Sequence, residues 1–127
     1  MSRPTVAILG ASGNREKFGN KSVRAHVRQG YEVYPVNPRA ERIEGLVCYA
    51  SLAEVPVARL TRICVYLPPA ALLETLDEIA AKGCDELFLN PGTESEAVLD
   101  KAARLGLDPI LACSIVDLGV TPAQFSS

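Results

Sequence analysis

Thr5-Val-Ala-Ile-Leu-Gly10-Ala-Ser-Gly13, with a further glycine at Gly19, is the stretch that decides how this chain folds. Five apolar residues that stop at a glycine read as a strand buried on both faces, as in a parallel sheet. Residues 10–19 then form a loop, and the pattern predicts a helix over roughly 20–29. Asn20 is its expected N-cap, Val23 and Val27 share one face, and Gly30 ends it. Glycine at the strand end permits a tight turn. Backbone amides in such a loop and at the helix start then point at an anion, usually a diphosphate. Ser12 adds a hydroxyl donor, and Arg15, Lys17 and Lys21 add positive charge.

Downstream, strand and helix keep alternating. Glu32–Val36 reads as a strand halted by Asn37-Pro38, and Gly45–Tyr49 as a short third strand. Ser51-Leu-Ala-Glu54 has capping-box spacing, and Pro56 limits the helix begun there to about one turn. Arg62–Leu67 is a fourth strand closed by Pro68-Pro69, then a helix over 70–82 faces Leu72, Leu73, Leu76, Ile79 and Ala80 to the core. Glu86–Leu89 is a fifth strand, ended by Asn90-Pro91-Gly92. Thr93 and Glu96 are spaced to open another helix as a capping box, closed by Gly106, and Pro109–Ala112 is a last strand. Residues 117–127 have no clear pattern. The expectation is one α/β domain over 1–127, Rossmann-like and doubly wound. Its mainly parallel sheet has five to six strands, with helices on both faces.

Composition fits that reading. The chain has 127 residues, 48% apolar and 22% charged, which excludes a disordered chain. No apolar run is long enough to span a bilayer, the start does not resemble a signal peptide, and a cytoplasmic protein is expected. The net charge of −2 argues against general nucleic-acid binding. That charge is unevenly spread. Residues 1–42 hold eight Lys/Arg against three acids, and residues 43–127 hold five against twelve, which suits an anionic ligand bound by the first third. The four cysteines, Cys48, Cys64, Cys84 and Cys113, include no C-x-x-C, and His26 is the single histidine, so no metal site is expected. Cys64 and Cys84 read as small buried residues of a reduced compartment.

The strict dinucleotide fingerprint is absent, because Ser12 stands where its second glycine would be. An NAD site also places an acid after the second strand; here Val36-Asn37-Pro38-Arg39 has none, and Arg39 and Arg42 follow. Arginine there suits an additional ribose phosphate, as in NADP or coenzyme A. These residues alone leave a CoA-binding module and a small NADP-using protein or oxidoreductase both open.

The segments Val6–Ser12, Gly30-Tyr-Glu-Val-Tyr-Pro-Val-Asn-Pro38, Ser51-Leu52, Val65–Pro69, Asn90-Pro-Gly92 and Cys113 together resemble the small stand-alone CoA-binding proteins. These are similar to the N-terminal CoA-binding domain of the succinyl-CoA synthetase α subunit. The resemblance spans positions 5 to about 118, and the run from Gly30 to Pro38 is its most specific part. It implies coenzyme A or an acyl-CoA as ligand. Gly10, Ala11, Ser12 and the loop through Gly13, Arg15 and Lys17 to Gly19 would hold the diphosphate. Asn37, Pro38 and Arg39 would sit by the adenosine and its 3′-phosphate, Leu67 and Pro68 would pack on the adenine, and Asn90 to Gly92 would line the way to the pantetheine arm. Relatives often carry glutamine at the Asn90 position. The phosphohistidine-bearing domain of the synthetases is not in this sequence, and no nucleophile–base pair stands out, so no independent catalysis is expected. His26 reads as a solvated or core-edge residue, and Cys113, after the last strand, as a buried structural thiol or one that faces a thiol ligand. Tyr31, Tyr34, Tyr49 and Tyr66 read as packing residues with wet hydroxyls, and the acids of 74–78 and 94–100 as solvated helix faces. A homodimer is compatible with so small a domain.

Overall fold

A computed structural model describes residues 3–126. Its main sheet contains β1 (Thr5–Leu9), β2 (Glu32–Val36), β5 (Leu60–Val65), β6 (Cys84–Leu89) and β7 (Ile110–Leu111), all parallel, in the order β2-β1-β5-β6-β7. A separate hairpin pairs β3 (Arg42–Ile43) with β4 (Leu46–Val47). The helices are α1 (Phe18–Arg28), α2 (Pro69–Lys82), α3 (Glu96–Arg104) and the short α4 (Ser114–Asp117).

Side chains alternate across each strand, so β1 supplies both faces at once. Ala7 and Leu9 join Ile63, Val65, Leu87 and Leu89 under α2 and α3, together with Leu72, Leu76, Ile79, Val98 and Ala102. Val6 and Ile8 join Cys64, Phe88 and Val23 of α1 on the other face. β1 is therefore buried along nearly its whole length, as its unbroken apolar run requires. The chain leaves β1 in one direction for β2 and in the other for β5. The carboxyl ends of β1 and β5 thus flank the switch point where open α/β sheets form a crevice.

Several expectations need correction. Gly45–Tyr49 is not a third strand of the main sheet. Leu46–Val47 folds back on Arg42–Ile43 through a two-residue turn with Glu44 at φ 50° and Gly45 at φ 78°, and Tyr49 adds a single parallel bridge to Val36. The fourth expected strand lies two residues earlier, Leu60–Val65, because Tyr66 and Leu67 already turn into the crevice. α1 begins at Phe18, and Lys17, with no side-chain cap, precedes it; Asn20 sits inside the helix, fully buried. Val23 is core, whereas Val27 is 47% exposed. α3 is capped by Ser95, whose hydroxyl accepts from the Val98 amide, not by Thr93. The short α4 ends where the patternless tail begins, and that tail contains a 3-10 turn, Pro122–Phe125, closed by a capping box between Thr121 and Gln124. Phe125 is buried against α1 and α4, its ring beneath Arg24 and Arg28.

Candidate functional site

A continuous groove runs over the carboxyl ends of the strands. Its first part, about 650 Å³, is lined by Gly10, Asn37, Pro38, Arg39, Leu67 and Pro68, with Ser51 and, from α2, Ala71, Glu74, Thr75 and Glu78. The second, about 630 Å³, shares Gly10, Asn37, Leu67 and Pro68 and continues along Ala11, Ser12, Lys17, Phe18 and Gly19 to Tyr66, Pro91, Gly92 and Thr93. A smaller pocket of about 210 Å³ lies beyond it, walled by Phe18, Tyr66, Asn90, Pro91 and Cys113.

The β1–α1 loop owes its shape to two glycines. Gly10 has φ 85°, and a Cβ there would lie 2.7 Å from the Tyr66 carbonyl oxygen. A Cβ on Gly19 would overlap the Gly10 carbonyl oxygen. The crossing of loop, helix start and β5 end is therefore too tight for any side chain at either position. Gly13 is different: a Cβ there would meet nothing within 4 Å.

Beneath the loop, Asn20 acts as a hub. Its Nδ2 donates to the Ser12 carbonyl at 2.9 Å and to Glu44 Oε2 at 3.1 Å, and its Oδ1 accepts from Arg24 Nε at 2.8 Å. Arg24 in turn donates to the carbonyls of Arg15 and Phe125. Ala11 is tied from the other side by Asn37 Nδ2, at 2.8 Å from its carbonyl. Carbonyls are thus drawn inward. The amides of Ala11, Ser12 and Gly13, and those of Phe18 and Gly19 in the first turn of α1, have no backbone acceptor among the described residues. Free amides beside the positive end of a helix can receive an anion.

The expected site residues divide into three groups. Gly10, Ala11, Ser12, Lys17, Gly19, Asn37, Pro38, Arg39, Leu67, Pro68 and Gly92 all line the first two parts of the groove. Arg39 is exposed, and its guanidinium has no hydrogen-bond or ion-pair partner among the described residues. Arg42, in contrast, donates to Gly45 within the hairpin. Gly13 and Arg15 lie outside the lining, and Arg15 turns to Glu44 at 3.4 Å. Asn90 reaches the last pocket, but its amide is held by structure: Nδ2 donates one N–H to the Val65 carbonyl, and Oδ1 accepts from the amide and hydroxyl of Ser114. It latches β5, β6 and α4 together.

Sequence reasoning missed Phe18, Tyr66, Thr93 and the α2 face. Glu74 and Glu78, read as part of a solvated helix face, border the groove because α2 starts directly after Pro68 and runs beneath it. The i, i+3, i+4, i+7 spacing of Ala71, Glu74, Thr75 and Glu78, which puts them on one helix face, was the available signal. Tyr66 does not have a wet hydroxyl: it lies 2.9 Å from Ser114 Oγ, and burial pushes its pKa up.

His26 lies outside the groove, fully buried rather than solvated or at the core edge. Its Nδ1 donates to the Ser22 carbonyl at 2.8 Å, leaving Nε2 as acceptor, 3.4 Å from Arg62 Nη1. Arg62 is 3% exposed; its guanidinium stacks on Phe88 and Tyr31 and pairs with Glu86 at 3.1 Å and Asp117 at 2.6 Å. Burial, only partly offset by the hydrogen bond to the Ser22 carbonyl and helped by the Arg62 charge, lowers the His26 pKa to about 4. Cys64, at the same spot, is pushed up to about 12 by burial. Among the described residues no group of three His, Cys, Asp or Glu is arranged to hold a metal ion, and no helix is long and apolar enough to cross a membrane.

Residues 4–119 match the family described as CoA binding domain, and the chain belongs to that family. It is 33% identical over 81 residues to the α subunit of acetate–CoA ligase [ADP-forming] II from Pyrococcus furiosus, covering 61% of this chain and 17% of that protein. It is 27% identical over 95 residues to trans-feruloyl-CoA synthase FCS1 from an unknown prokaryotic organism, covering 73% of this chain and 13% of the other. The chain thus spans less than a fifth of the length of these curated relatives. Among solved structures, a conserved hypothetical protein from Pyrococcus furiosus superposes with a TM-score of 0.79 at 33% identity, covering 91% of this chain and 99% of that one. A Thermus thermophilus protein superposes with a TM-score of 0.80 at 29% identity, covering 91% and 87%.

Proposed function

We propose that this member of the CoA binding domain family binds coenzyme A or an acyl-CoA without transforming it, as a carrier or accessory component. The observation that carries this reading is the groove itself. One end has an arginine and the middle has loop amides that find no partner among the described residues, and the far end is an apolar pocket. That succession matches the chemistry of a ligand with a phosphorylated nucleoside, a diphosphate and a thiol-bearing arm.

In this reading the amides of Ala11, Ser12, Phe18 and Gly19, aided by Lys17, receive the diphosphate, whose charge also suits the start of α1. Leu67 and Pro68 pack on the adenine, while Glu74 and Glu78 offer acceptors to its amino group and keep phosphate towards Arg39 and Pro38. Arg39 binds the 3′-phosphate through its planar fork. Gly92 and Pro91 border the pantetheine path. His26, locked against Arg62 under α1 and outside the groove, takes no part in group transfer.

Calorimetry tests this. CoA should bind with micromolar affinity, on the order of −8 kcal/mol. Dephospho-CoA should bind roughly 10- to 150-fold more weakly, the value of a charge-assisted phosphate contact, and Arg39→Ala should erase most of that gap. Equal affinity of the two ligands for the unmodified protein rejects the Arg39 assignment. No heat and no competition up to millimolar CoA rejects the function.

A further inference from the structure

The pocket at the far end of the groove carries information about the acyl group. It is joined to the loop region through Phe18, Tyr66 and Pro91, which line both cavities. Three polar groups border it: the Asn90 amide, the Tyr66 hydroxyl and the Cys113 thiol. The Tyr66 hydroxyl is occupied, and Asn90 has its oxygen and one of its two N–H donors committed. Asn90 bonds to Val65 and Ser114, and the Tyr66 hydroxyl is spent on Ser114 Oγ. No Lys or Arg lines the pocket; the Lys21 ammonium rests by the Phe18 ring, 5.4 Å from its centroid, and is not part of the wall. A carboxylate placed here would lose water and gain no charged donor, at best one amide N–H of Asn90, whereas methylene groups would meet aromatic, proline and sulfur surface.

Resting on the CoA reading, we propose that the pocket walled by Phe18, Tyr66, Asn90, Pro91 and Cys113 seats a short, uncharged acyl group of a CoA thioester and rejects a terminal carboxylate. A dry cavity of about 150 Å³ accommodates benzene, so this volume of about 210 Å³ takes a chain of roughly four to eight carbons. Butyryl-CoA and succinyl-CoA are the discriminating pair, because their acyl groups have the same four-carbon backbone and differ in the terminal charge.

Calorimetric titration with CoA, butyryl-CoA and succinyl-CoA is the test. Butyryl-CoA should bind roughly tenfold more tightly than CoA, since each buried methylene contributes about a fourfold gain at best. Succinyl-CoA should bind no more tightly than CoA. Butyryl-CoA should also slow alkylation of Cys113 by iodoacetamide, located by peptide mass spectrometry, while adenosine 3′,5′-bisphosphate should not. Phe18→Ala should lose the butyryl advantage over CoA, whatever its effect on the affinity for CoA itself. Equal binding of butyryl- and succinyl-CoA, tighter binding of succinyl-CoA through Lys21, or CoA binding with no acyl-dependent protection of Cys113 overturns the pocket assignment and leaves the CoA reading standing. Failure of CoA itself to bind overturns both.

Discussion

Two polar regions, one within β5 and one past its carboxyl end, behave in opposite ways. Around Arg62, in β5, every charge and ring nitrogen has a partner: Glu86, Asp117, His26, and the faces of Phe88 and Tyr31. Past the end of β5, in the loop after Gly10, the carbonyls of Ala11 and Ser12 are tied down, and the amides of Ala11, Ser12, Phe18 and Gly19 have no backbone acceptor among the described residues. The first region is closed on itself and fastens α1, α4 and the sheet. The second is held just as firmly from beneath, but its donors face a groove. Internal satisfaction marks structure, and rigidly positioned open donors mark a place for a ligand.

The largest effect that could break this contrast lies at Gly10. Gly10→Val combines a positive φ with a Cβ driven into the Tyr66 carbonyl, so it should cost about 4 kcal/mol and lower the melting temperature by on the order of 15 °C. Thermal denaturation of the variant checks it. If the variant melts like the original and loses only ligand affinity, Gly10 makes room for the ligand and not for the β5 end.

A smaller effect comes from the closed region. Folded His26 takes up a proton only near pH 4, while in the unfolded chain it does so near 6.5. Between these values the unfolded state binds more protons. Stability is therefore fully present above about pH 6.5 and declines as pH falls towards 4, by about 3 kcal/mol from this residue. Urea titrations between pH 7 and pH 4 measure it, and His26→Gln should flatten that slope whatever its effect on absolute stability. An unchanged slope in the variant would show that Arg62, Glu86 and Asp117 set the acid response without His26.

The smallest expected change is at Gly13. Gly13→Ala should alter stability by no more than about 0.5 kcal/mol, since its Cβ meets open space. Alongside Gly10→Val in the same melting experiment, it separates the glycines of the loop into one the fold needs and one it tolerates. A shift of several degrees would mean that the loop is packed more tightly than the crossing at Gly10 and Gly19 implies.

Much of the fold was legible because apolar runs and their punctuation are local. Thr5–Leu9, Glu32–Val36 and the α2 span were read within a residue or two. Misreadings fell where partners distant in sequence decide. Asn20 looks like a cap by its place after a loop, yet Ser12, Glu44 and Arg24 draw it into the helix interior. Thr93 has the spacing of a cap, but its hydroxyl is taken by the Asn90 carbonyl and the role passes to Ser95. Leu46–Val47 has strand character and pairs with its own neighbour through the Glu44-Gly45 turn, leaving Tyr49 alone to reach Val36.

By itself the sequence determined the alternation of buried strands and amphipathic helices, the glycine loop after β1, and the lack of an acid after β2. Each depends on residues adjacent along the chain: apolar periodicity, glycine's tolerance of positive φ, and proline's inability to continue a strand. Tertiary structure alone decided which of those residues face the groove. It paired Arg15 with Glu44, left the Arg39 guanidinium without a partner among the described residues, and tied the Asn90 amide to Ser114 and Val65. It buried His26 beneath Arg62 and turned Glu74 and Glu78 from a helix surface into the lining of a cleft. Such outcomes depend on which elements meet across the sheet, over separations of 24 residues between Asn90 and Ser114 and 36 between His26 and Arg62, and local pattern does not encode those meetings.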